Sequence, residues 1–125
     1  MKTDSNLVET DSYAASIVFL LLNLSYTYLE LNHYKDAIDC LNECVTLAED
    51  KVADVYFRRS QARTYNKLSS NSDLKLAMED ILKAKELKPE VKIYSEHHDI
   101  LNKIIETKKK TEIDRIKSKF NNNYH

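Results

Sequence analysis

Residues 21–47 read LLNLSYTYLELNHYKDAIDCLNECVTL and predict two helices separated by a short break. In both halves, apolar or small residues recur every three or four positions, which places them on one face of an α-helix. The residues on the first face are Leu21, Leu24, Ser25 and Tyr28, and those on the second are Ala37, Leu41, Cys44 and Val45. Because Ser25 and Ala37 are small, we expect the two helices to pack closely there as an antiparallel hairpin. Such a hairpin leaves one apolar face that a neighbouring unit must cover.

The same pattern recurs once further along the chain. Its members are Tyr56, Arg59, Ser60 and Arg63, followed by Ala77, Ile81, Ala84, Leu87 and Pro89. Ser60 lies 35 residues after Ser25, whereas Ala77 lies 40 residues after Ala37. The second copy therefore carries about five extra residues between its helices. They fall in the stretch 68–73, whose serine, asparagine and aspartate residues are typical of turns and helix caps.

The order of these residues resembles the tetratricopeptide repeat, whose pattern is Trp-x-x-Leu-Gly-x-x-Tyr, then Ala-x-x-x-Phe, then Pro, with a period of about 34 residues. Ser25 and Ser60 stand at the glycine position, and Pro89 stands at the proline position, where the first copy has Glu49. The resemblance implies an all-α fold of antiparallel helix hairpins, stacked as a right-handed superhelix with a long C-terminal capping helix. The predicted parts are a partial leading segment at 1–16, a repeat at 17–51, a repeat with an inserted inter-helix loop at 52–90, a capping helix at 91–120 and a disordered tail at 121–125.

The composition also favours helices. The 125 residues include no glycine and one proline, so the chain lacks the residue that most tight β-turns need. The net charge is −1, but residues 102–120 hold seven basic and three acidic side chains. Because only this stretch is basic, we expect no nucleic-acid partner. The most apolar run, residues 17–24, is too short to span a membrane, and the polar N-terminus is unlike a signal peptide, so we expect a cytoplasmic protein.

No catalytic signature appears in the sequence. It contains neither a glycine-rich phosphate loop nor a Gly-x-Ser-x-Gly turn, and we therefore predict a non-enzymatic protein without a cofactor. Cys40 and Cys44 lie one helical turn apart, with His33 as the other candidate ligand. A metal site needs more ligands than these, so we expect the two cysteines to be buried small apolar residues and predict no metal.

Three further segments carry a narrower resemblance, which covers roughly Tyr13 to Phe120. The segments are Leu22-Asn23-Leu24-Ser25 with Tyr28-Leu29-x-Leu31, Tyr56-Phe57-Arg58-Arg59-Ser60-Gln61-Ala62, and a long last helix that ends basic with Phe120. They resemble the C-terminal tetratricopeptide region of the large FK506-binding immunophilins and of the cyclophilins that carry such repeats. In that family an isomerase domain precedes the repeats, so any peptidyl-prolyl isomerase activity would lie outside this chain.

The resemblance implies a clamp for the C-terminal Glu-Glu-Val-Asp of a heat-shock chaperone, since Asn, Lys and Arg side chains suit carboxylates. Asn23 matches the asparagine of the clamp and Arg58 its arginine, while Asp54 stands where the family has a lysine. We add Tyr26 and Gln61 to the predicted peptide-binding residues. No complete earlier repeat is present to supply the remaining lysine and asparagine, so we expect a fragment of a larger protein or a shortened array. The alternative function is a structural scaffold that binds another protein without such a clamp.

Several residues have a purely structural interpretation as an alternative to the functional one. Asn23 is either a ligand contact or a polar residue facing a groove or solvent, and Arg58 is either a ligand contact or a solvated charge paired with Asp54 or Glu49. Arg59 stands at an apolar position of the repeat, so we expect its stem to pack and its charged head to reach water. The basic segment Lys108–Lys119 is either a solvated face or a patch for an acidic partner, calmodulin or a membrane surface.

The first helix predicts self-association. Ile17, Val18, Phe19, Leu20, Leu21 and Leu22 form a continuous apolar run. These six side chains cannot all point into one hairpin, and an exposed apolar patch commonly marks a contact with a partner or another copy. The alternative is that residues 1–16 fold back and cover the run.

Overall fold

The computed structural model describes the backbone of residues 2–49 and 51–123, with the side chains of residues 13–49 and 51–121. The elements are α1 (Lys2–Glu30), α2 (Tyr34–Ala48), α3 (Ala53–Tyr65), α4 (Asn71–Leu87) and α5 (Lys92–Asn123). Among these described residues there are helices and no strand, which confirms the predicted all-α, tetratricopeptide-type helical repeat fold. None of the described helices combines the length and the apolar character needed to cross a membrane.

The two ends of the chain are more helical than predicted. Residues 2–16 continue without a break into the repeat helix as α1, so the idea that residues 1–16 fold back over the apolar run is wrong. Residues 121–123, predicted to be disordered, extend α5, because adding one residue to an existing helix gains a hydrogen bond without a new nucleation cost. Residues 124 and 125 lie outside the described part of the chain, and the proposed repeat boundaries remain predictions.

The helices pack as two hairpins and a cap. Helices α1 and α2 enclose a small core with the start of α3, while α3, α4 and α5 share a larger one. The buried members of the first core are Val18, Leu41, Cys44 and Val55. The buried members of the second are Ala53, Tyr56, Phe57, Leu74, Ala77, Ile81, Ala84, Tyr94 and Leu101. Each hairpin therefore buries its apolar face against the next element, as a repeat stack requires.

Small residues let the helices of each hairpin approach closely. Ser25 and Ala37 are both fully buried, and the Ser25 hydroxyl donates to the carbonyl oxygen of Leu22 at 2.6 Å. In the second hairpin the Ser60 hydroxyl donates to the carbonyl oxygen of Ala77 on α4 at 2.8 Å. The predicted close contact is therefore seen directly in the second hairpin, and in the first it is supported by the complete burial of both small residues.

His97 fastens the capping helix to the second hairpin. Because the one hydroxyl proton of Ser60 is donated to Ala77, the Ser60 oxygen must accept, and the Nε2–H of His97 donates to it at 3.0 Å. The hydroxyl of Thr64 is likewise donated to the Ser60 carbonyl and lies 3.3 Å from the same Nε2 atom. Burial of the imidazole, with a further contribution from His98, lowers the pKa of His97 to about 4. His97 is therefore a neutral ring that carries its proton on Nε2.

Arg59 departs from the prediction that its charged head reaches water. Its Nε and Nη2 atoms donate to the two carboxylate oxygens of Asp80 at 3.0 and 2.7 Å, and its Nη1 donates to Asn42 at 3.0 Å. Arg63 donates to the same carboxylate at 2.6 Å. Asp80 is only 4% exposed, and a buried carboxylate without partners would be strongly unfavourable. The guanidinium is therefore mostly enclosed, with 16% of the side chain exposed, and it joins α3 to α4 and α2.

The inserted loop of the second repeat supplies the start of α4. The Ser70 hydroxyl accepts from the backbone N–H of Asp73 at 3.1 Å, and the Asp73 carboxylate accepts from the backbone N–H of Ser70 at 2.8 Å. These reciprocal bonds form a capping box, and the hydrogen bonds from Ser70 lower the pKa of Asp73. The prediction that residues 68–73 contain helix-capping residues is confirmed.

The chain without glycine makes its reversals with other residues in the left-handed region. Asn32, after α1, has φ 60°, and Glu49, after α2, has φ 51°. Asparagine visits this region readily, whereas glutamate does so at some cost. Proline cannot adopt it, because its ring holds φ near −65°. The absence of proline at the end of the first repeat therefore follows from the way in which α2 terminates.

We expect Ser25→Leu and Ser60→Leu each to lower the free energy of unfolding by about 1–3 kcal/mol, because a larger side chain overpacks a close helix contact. Ser60→Leu should cost more, since it removes hydrogen bonds that join α3 to α4 and α5, whereas the hydrogen bond of Ser25 lies within α1. Urea denaturation followed by circular dichroism measures the change. Ser118→Leu, on the exposed part of α5, is the matched control. Parent-like stability of both buried-serine variants would contradict the proposed helix contacts.

We expect the free energy of unfolding to decrease when the pH is lowered, because His97 is neutral in the folded chain. Its pKa lies near 6.5 when exposed and about 4 in the folded chain, so unfolding takes up a proton between these values. The free energy of unfolding should decrease as pH falls from 6.5 towards 4, by up to about 3 kcal/mol. Urea denaturation across this range should show a smaller decrease for His97→Gln, whose amide can still donate to Ser60. The control is His33→Gln, which replaces an exposed histidine in the turn after α1. An identical pH dependence for the parent and His97→Gln would refute the assignment.

Candidate functional site

A groove runs between α1 and α3, the first helices of the two hairpins. Its lining residues are Tyr26, Leu29, Glu30, Asn32, Tyr34, Gln61 and Tyr65, and its volume is about 330 Å³. Two of the four residues that the sequence predicts for peptide binding, Tyr26 and Gln61, are among them. The structure therefore brings these two side chains together from different repeats.

Arg58 lies beside this groove and bridges the two hairpins. Its Nη1 atom donates to the carbonyl oxygen of Leu22 on α1 at 2.8 Å. Its guanidinium carbon stands 4.9 Å from the centre of the Tyr26 ring, within the range of a cation–π contact. The predicted arginine is thus placed next to Tyr26, three residues before Gln61 on α3.

Asp54 neutralises Arg58. The Nε atom of Arg58 donates to the Asp54 carboxylate at 2.8 Å, one helical turn away on α3. The Tyr94 hydroxyl of α5 lies 3.5 Å from the other carboxylate oxygen, and burial together with Asp54 raises the pKa of Tyr94 to about 12. Of the two partners that the sequence offered for Arg58, the structure contains the pair with Asp54, whereas Glu49 pairs with Lys51. The bonds to Asp54 and Leu22 use two of the five guanidinium N–H groups.

Asn23 is exposed on α1, one helical turn before Tyr26. Its backbone carbonyl accepts a hydrogen bond from the Thr27 hydroxyl at 3.3 Å. Residues three apart lie on the same side of a helix, so Asn23 extends the surface that carries Tyr26. Arg58 contacts α1 at Leu22 and Tyr26, on either side of Asn23 in the sequence. Of the four predicted residues, Tyr26 and Gln61 therefore lie inside the groove, Arg58 lies beside it, and Asn23 shares a helix face with Tyr26.

The groove also contains residues that the sequence did not predict. Tyr65 lies one turn after Gln61 on α3, a spacing that could have indicated it. Asn32 comes from the turn between α1 and α2, and Tyr34 is the first residue of α2; the Tyr34 hydroxyl donates to the Asn32 side chain at 3.0 Å. Helical periodicity gives no signal for turn residues. Glu30 adds a carboxylate to the groove, so the region around Arg58 contains more than one acidic group.

Cys40 and Cys44 are free thiols on α2. The Cys44 thiol is buried 3.8 Å from the carbonyl oxygen of Val18, and burial raises its pKa to about 11. Burial also raises the pKa of the Cys40 thiol, which is only partly accessible. A protonated thiol is a weak nucleophile and a poor metal ligand. Across the described residues, no group of three or more His, Cys, Asp or Glu side chains is arranged to hold a metal ion.

Comparison with protein families matches residues 20–51 to the family described as Tetratricopeptide repeat. This range covers the second part of α1 and the whole of α2, which is the first hairpin. The curated proteins include no match to the chain. The family match and the stacked hairpins together support a tetratricopeptide-repeat domain, and repeats of this class imply a protein–protein interaction module that is generally non-catalytic.

Proposed function

We propose that the chain binds an extended segment of a partner protein in the groove between α1 and α3. The observation that supports this is the set of side chains in the groove. Tyr26, Tyr34 and Tyr65 offer aromatic faces with hydroxyl groups, and Gln61 offers both a donor and an acceptor. Such groups can pack against an extended peptide and satisfy its backbone N–H and C=O groups. The proposed setting of this interaction is the cytoplasm.

One candidate ligand is the acidic C-terminal tail of a heat-shock chaperone, which would make the chain part of an immunophilin-type co-chaperone. Arg58 supports this ligand, because N–H groups beyond those bonded to Leu22 and Asp54 remain on its guanidinium. Asn23 is exposed on the same surface. A carboxylate from the peptide could then accept charge-assisted hydrogen bonds from Arg58 and an amide hydrogen bond from Asn23.

The second candidate is a structural scaffold that binds a different protein segment and has no clamp for a chaperone tail. The ion pair between Asp54 and Arg58 supports this alternative, since the positive charge is already compensated. Glu30 in the groove would also repel an acidic peptide. A neutral segment, or one with basic residues, would avoid both costs. The two candidates therefore differ in the charge of the peptide and in the effect of Asp54.

We also propose self-association through α1. Its exposed apolar side chains include Tyr13, Phe19, Leu20 and Leu24. Three of them, at positions 13, 20 and 24, are spaced by seven and four residues and thus form one stripe along the helix. Phe19 and Leu20 are each 65% exposed, whereas Val18 is buried against α2. A second copy that covers this stripe would remove a large apolar area from water.

The chaperone-tail candidate predicts weak binding that depends on charge. A peptide ending in Glu-Glu-Val-Asp should bind the parent in the high micromolar range or more weakly, and added salt should weaken it further. Arg58→Ala should reduce binding by about 1.5–3 kcal/mol, because it removes hydrogen bonds to a charged group. Asp54→Lys should strengthen binding, since it replaces a repulsive charge by an attractive one. Isothermal titration calorimetry measures each effect.

Arg115→Ala is the control for this experiment, because Arg115 is an exposed arginine on α5, far along the chain from the groove. No detectable binding by either the parent or Asp54→Lys would eliminate the chaperone tail and leave the scaffold candidate. Binding that Arg58→Ala leaves unchanged but Arg115→Ala abolishes would place the peptide elsewhere. Circular dichroism must show that Arg58→Ala keeps its helices, since this arginine also joins α3 to α1.

Self-association predicts a mass that increases with concentration in light scattering. Leu20→Gln should shift this dependence to higher concentration, because it removes an apolar side chain from the centre of the stripe. Leu68→Gln is the matched control, since Leu68 is 91% exposed but lies in the loop before α4. A monomeric mass at the highest concentration reached would contradict the proposal.

A further inference from the structure

A second groove opens between α4 and the middle of α5. Its lining residues are Asn71, Leu74, Lys75, Met78, Ile105, Lys108, Lys109, Glu112 and Ile113, and its volume is about 570 Å³. None of these residues lines the groove between α1 and α3. The second groove is therefore a separate surface, and nothing in the proposed peptide site depends on it.

The floor of this groove is apolar because α5 leaves the body of the protein here. Leu101 is fully buried against α4, Ile105 is half-buried, and the described side chains from residue 106 to residue 121 are exposed. On the opposite wall, Leu74 is buried and Met78 is half-buried. Ile113 extends the apolar surface beyond the contact between the helices and remains 51% exposed. The diverging helices thus leave an apolar cleft that neither of them fills.

The rim of the groove is positively charged. Lys75 stands on the α4 side, and Lys108 and Lys109 stand on the α5 side. Glu112 is the one acid among the described lining residues, and Arg115 holds it with two hydrogen bonds of 2.6 and 3.1 Å. The Lys108 ammonium lies 3.5 Å from the Ser69 carbonyl oxygen, at the end of the groove nearest the inserted loop. Three cations therefore face an apolar cleft whose only lining carboxylate is already paired.

We propose that this groove binds an acidic amphipathic segment of a partner protein. Apolar side chains of the segment would pack on Met78, Ile105 and Ile113, and its Asp or Glu side chains would pair with the lysines of the rim. The lining residues span 71–78 on α4 and 105–113 on α5, which is about two helical turns, or roughly 10–12 Å. A partner segment of two to three turns matches this length.

The charge pattern distinguishes this occupant from a membrane surface. Lys110, Lys117 and Lys119 are exposed on the same helix but do not line the groove. A flat anionic bilayer would contact these outer lysines as readily as those of the rim. Binding of an inserted segment would depend on Lys109 but not on its neighbour Lys110. The test is based on this difference.

The test uses a synthetic fluorescein-labelled 14-residue peptide with leucine every three or four positions and glutamate elsewhere, and a twin with lysine in place of each glutamate. Fluorescence anisotropy with the full chain should show binding of the acidic peptide and at least tenfold weaker binding of the twin. Lys109→Glu should weaken the acidic peptide roughly three- to tenfold, whereas Lys110→Glu should have little effect. Ile113→Gln should weaken it roughly tenfold, whereas Ile116→Gln, which changes an equally exposed isoleucine outside the groove, should not.

Four outcomes would overturn the proposal. Equal effects of Lys109→Glu and Lys110→Glu would show a diffuse attraction to the basic helix. Equal effects of Ile113→Gln and Ile116→Gln would place the peptide outside the groove. Binding to phosphatidylserine vesicles without binding to the peptide would identify a membrane surface. A concentration-dependent mass that Lys109→Glu abolishes, with no peptide binding, would identify a second copy as the occupant.

Discussion

The Ser60 hydroxyl lies where three helices meet, and the rest of the structure depends on this meeting point. It donates to the Ala77 carbonyl of α4 and accepts from the His97 ring of α5, so one small polar group sets two helix distances. The docking of α5 in turn brings Tyr94 to Asp54, the residue that compensates Arg58. The charge balance beside the α1–α3 groove is thus connected to packing on the other side of α3, and both grooves use helices whose positions Ser60 helps to define.

In the second hairpin, ion pairs occupy positions that apolar residues hold in the repeat pattern. Asp80 receives both Arg59 and Arg63, at positions where the repeat pattern calls for apolar or aromatic side chains. Burying such charges costs desolvation energy that their attraction only partly returns, so the cluster is weak evidence for added stability. Its directional hydrogen bonds do restrict how α3 can slide along α4. We therefore attribute to this cluster the register of the second hairpin rather than its strength.

Local spacing was sufficient to predict the hairpins, and it failed where residues distant in sequence meet. The stripes around Ser25 and Ser60 have a period that only helices satisfy, and the pairing of Arg58 with Asp54 follows from their separation of four residues. The partners of Asp80, however, lie 17 and 21 residues away, and no local pattern links them. Asn32 enters the groove from a turn, and the cleft beside Ile113 arises where α5 leaves the body. These features depend on three-dimensional packing, which single-sequence periodicity does not encode.

The left-handed backbone at Glu49 has a mechanical consequence. A residue other than glycine in this conformation costs on the order of 1–3 kcal/mol, and it persists only where the surrounding structure determines the path of the chain. The direction in which the chain leaves α2 is therefore set by the two cores that flank Glu49 rather than by the backbone preference of this residue. The groove between α1 and α3 lies between the two hairpins, so its width depends on how these cores pack. A substitution in either core would therefore change the groove without touching its lining residues.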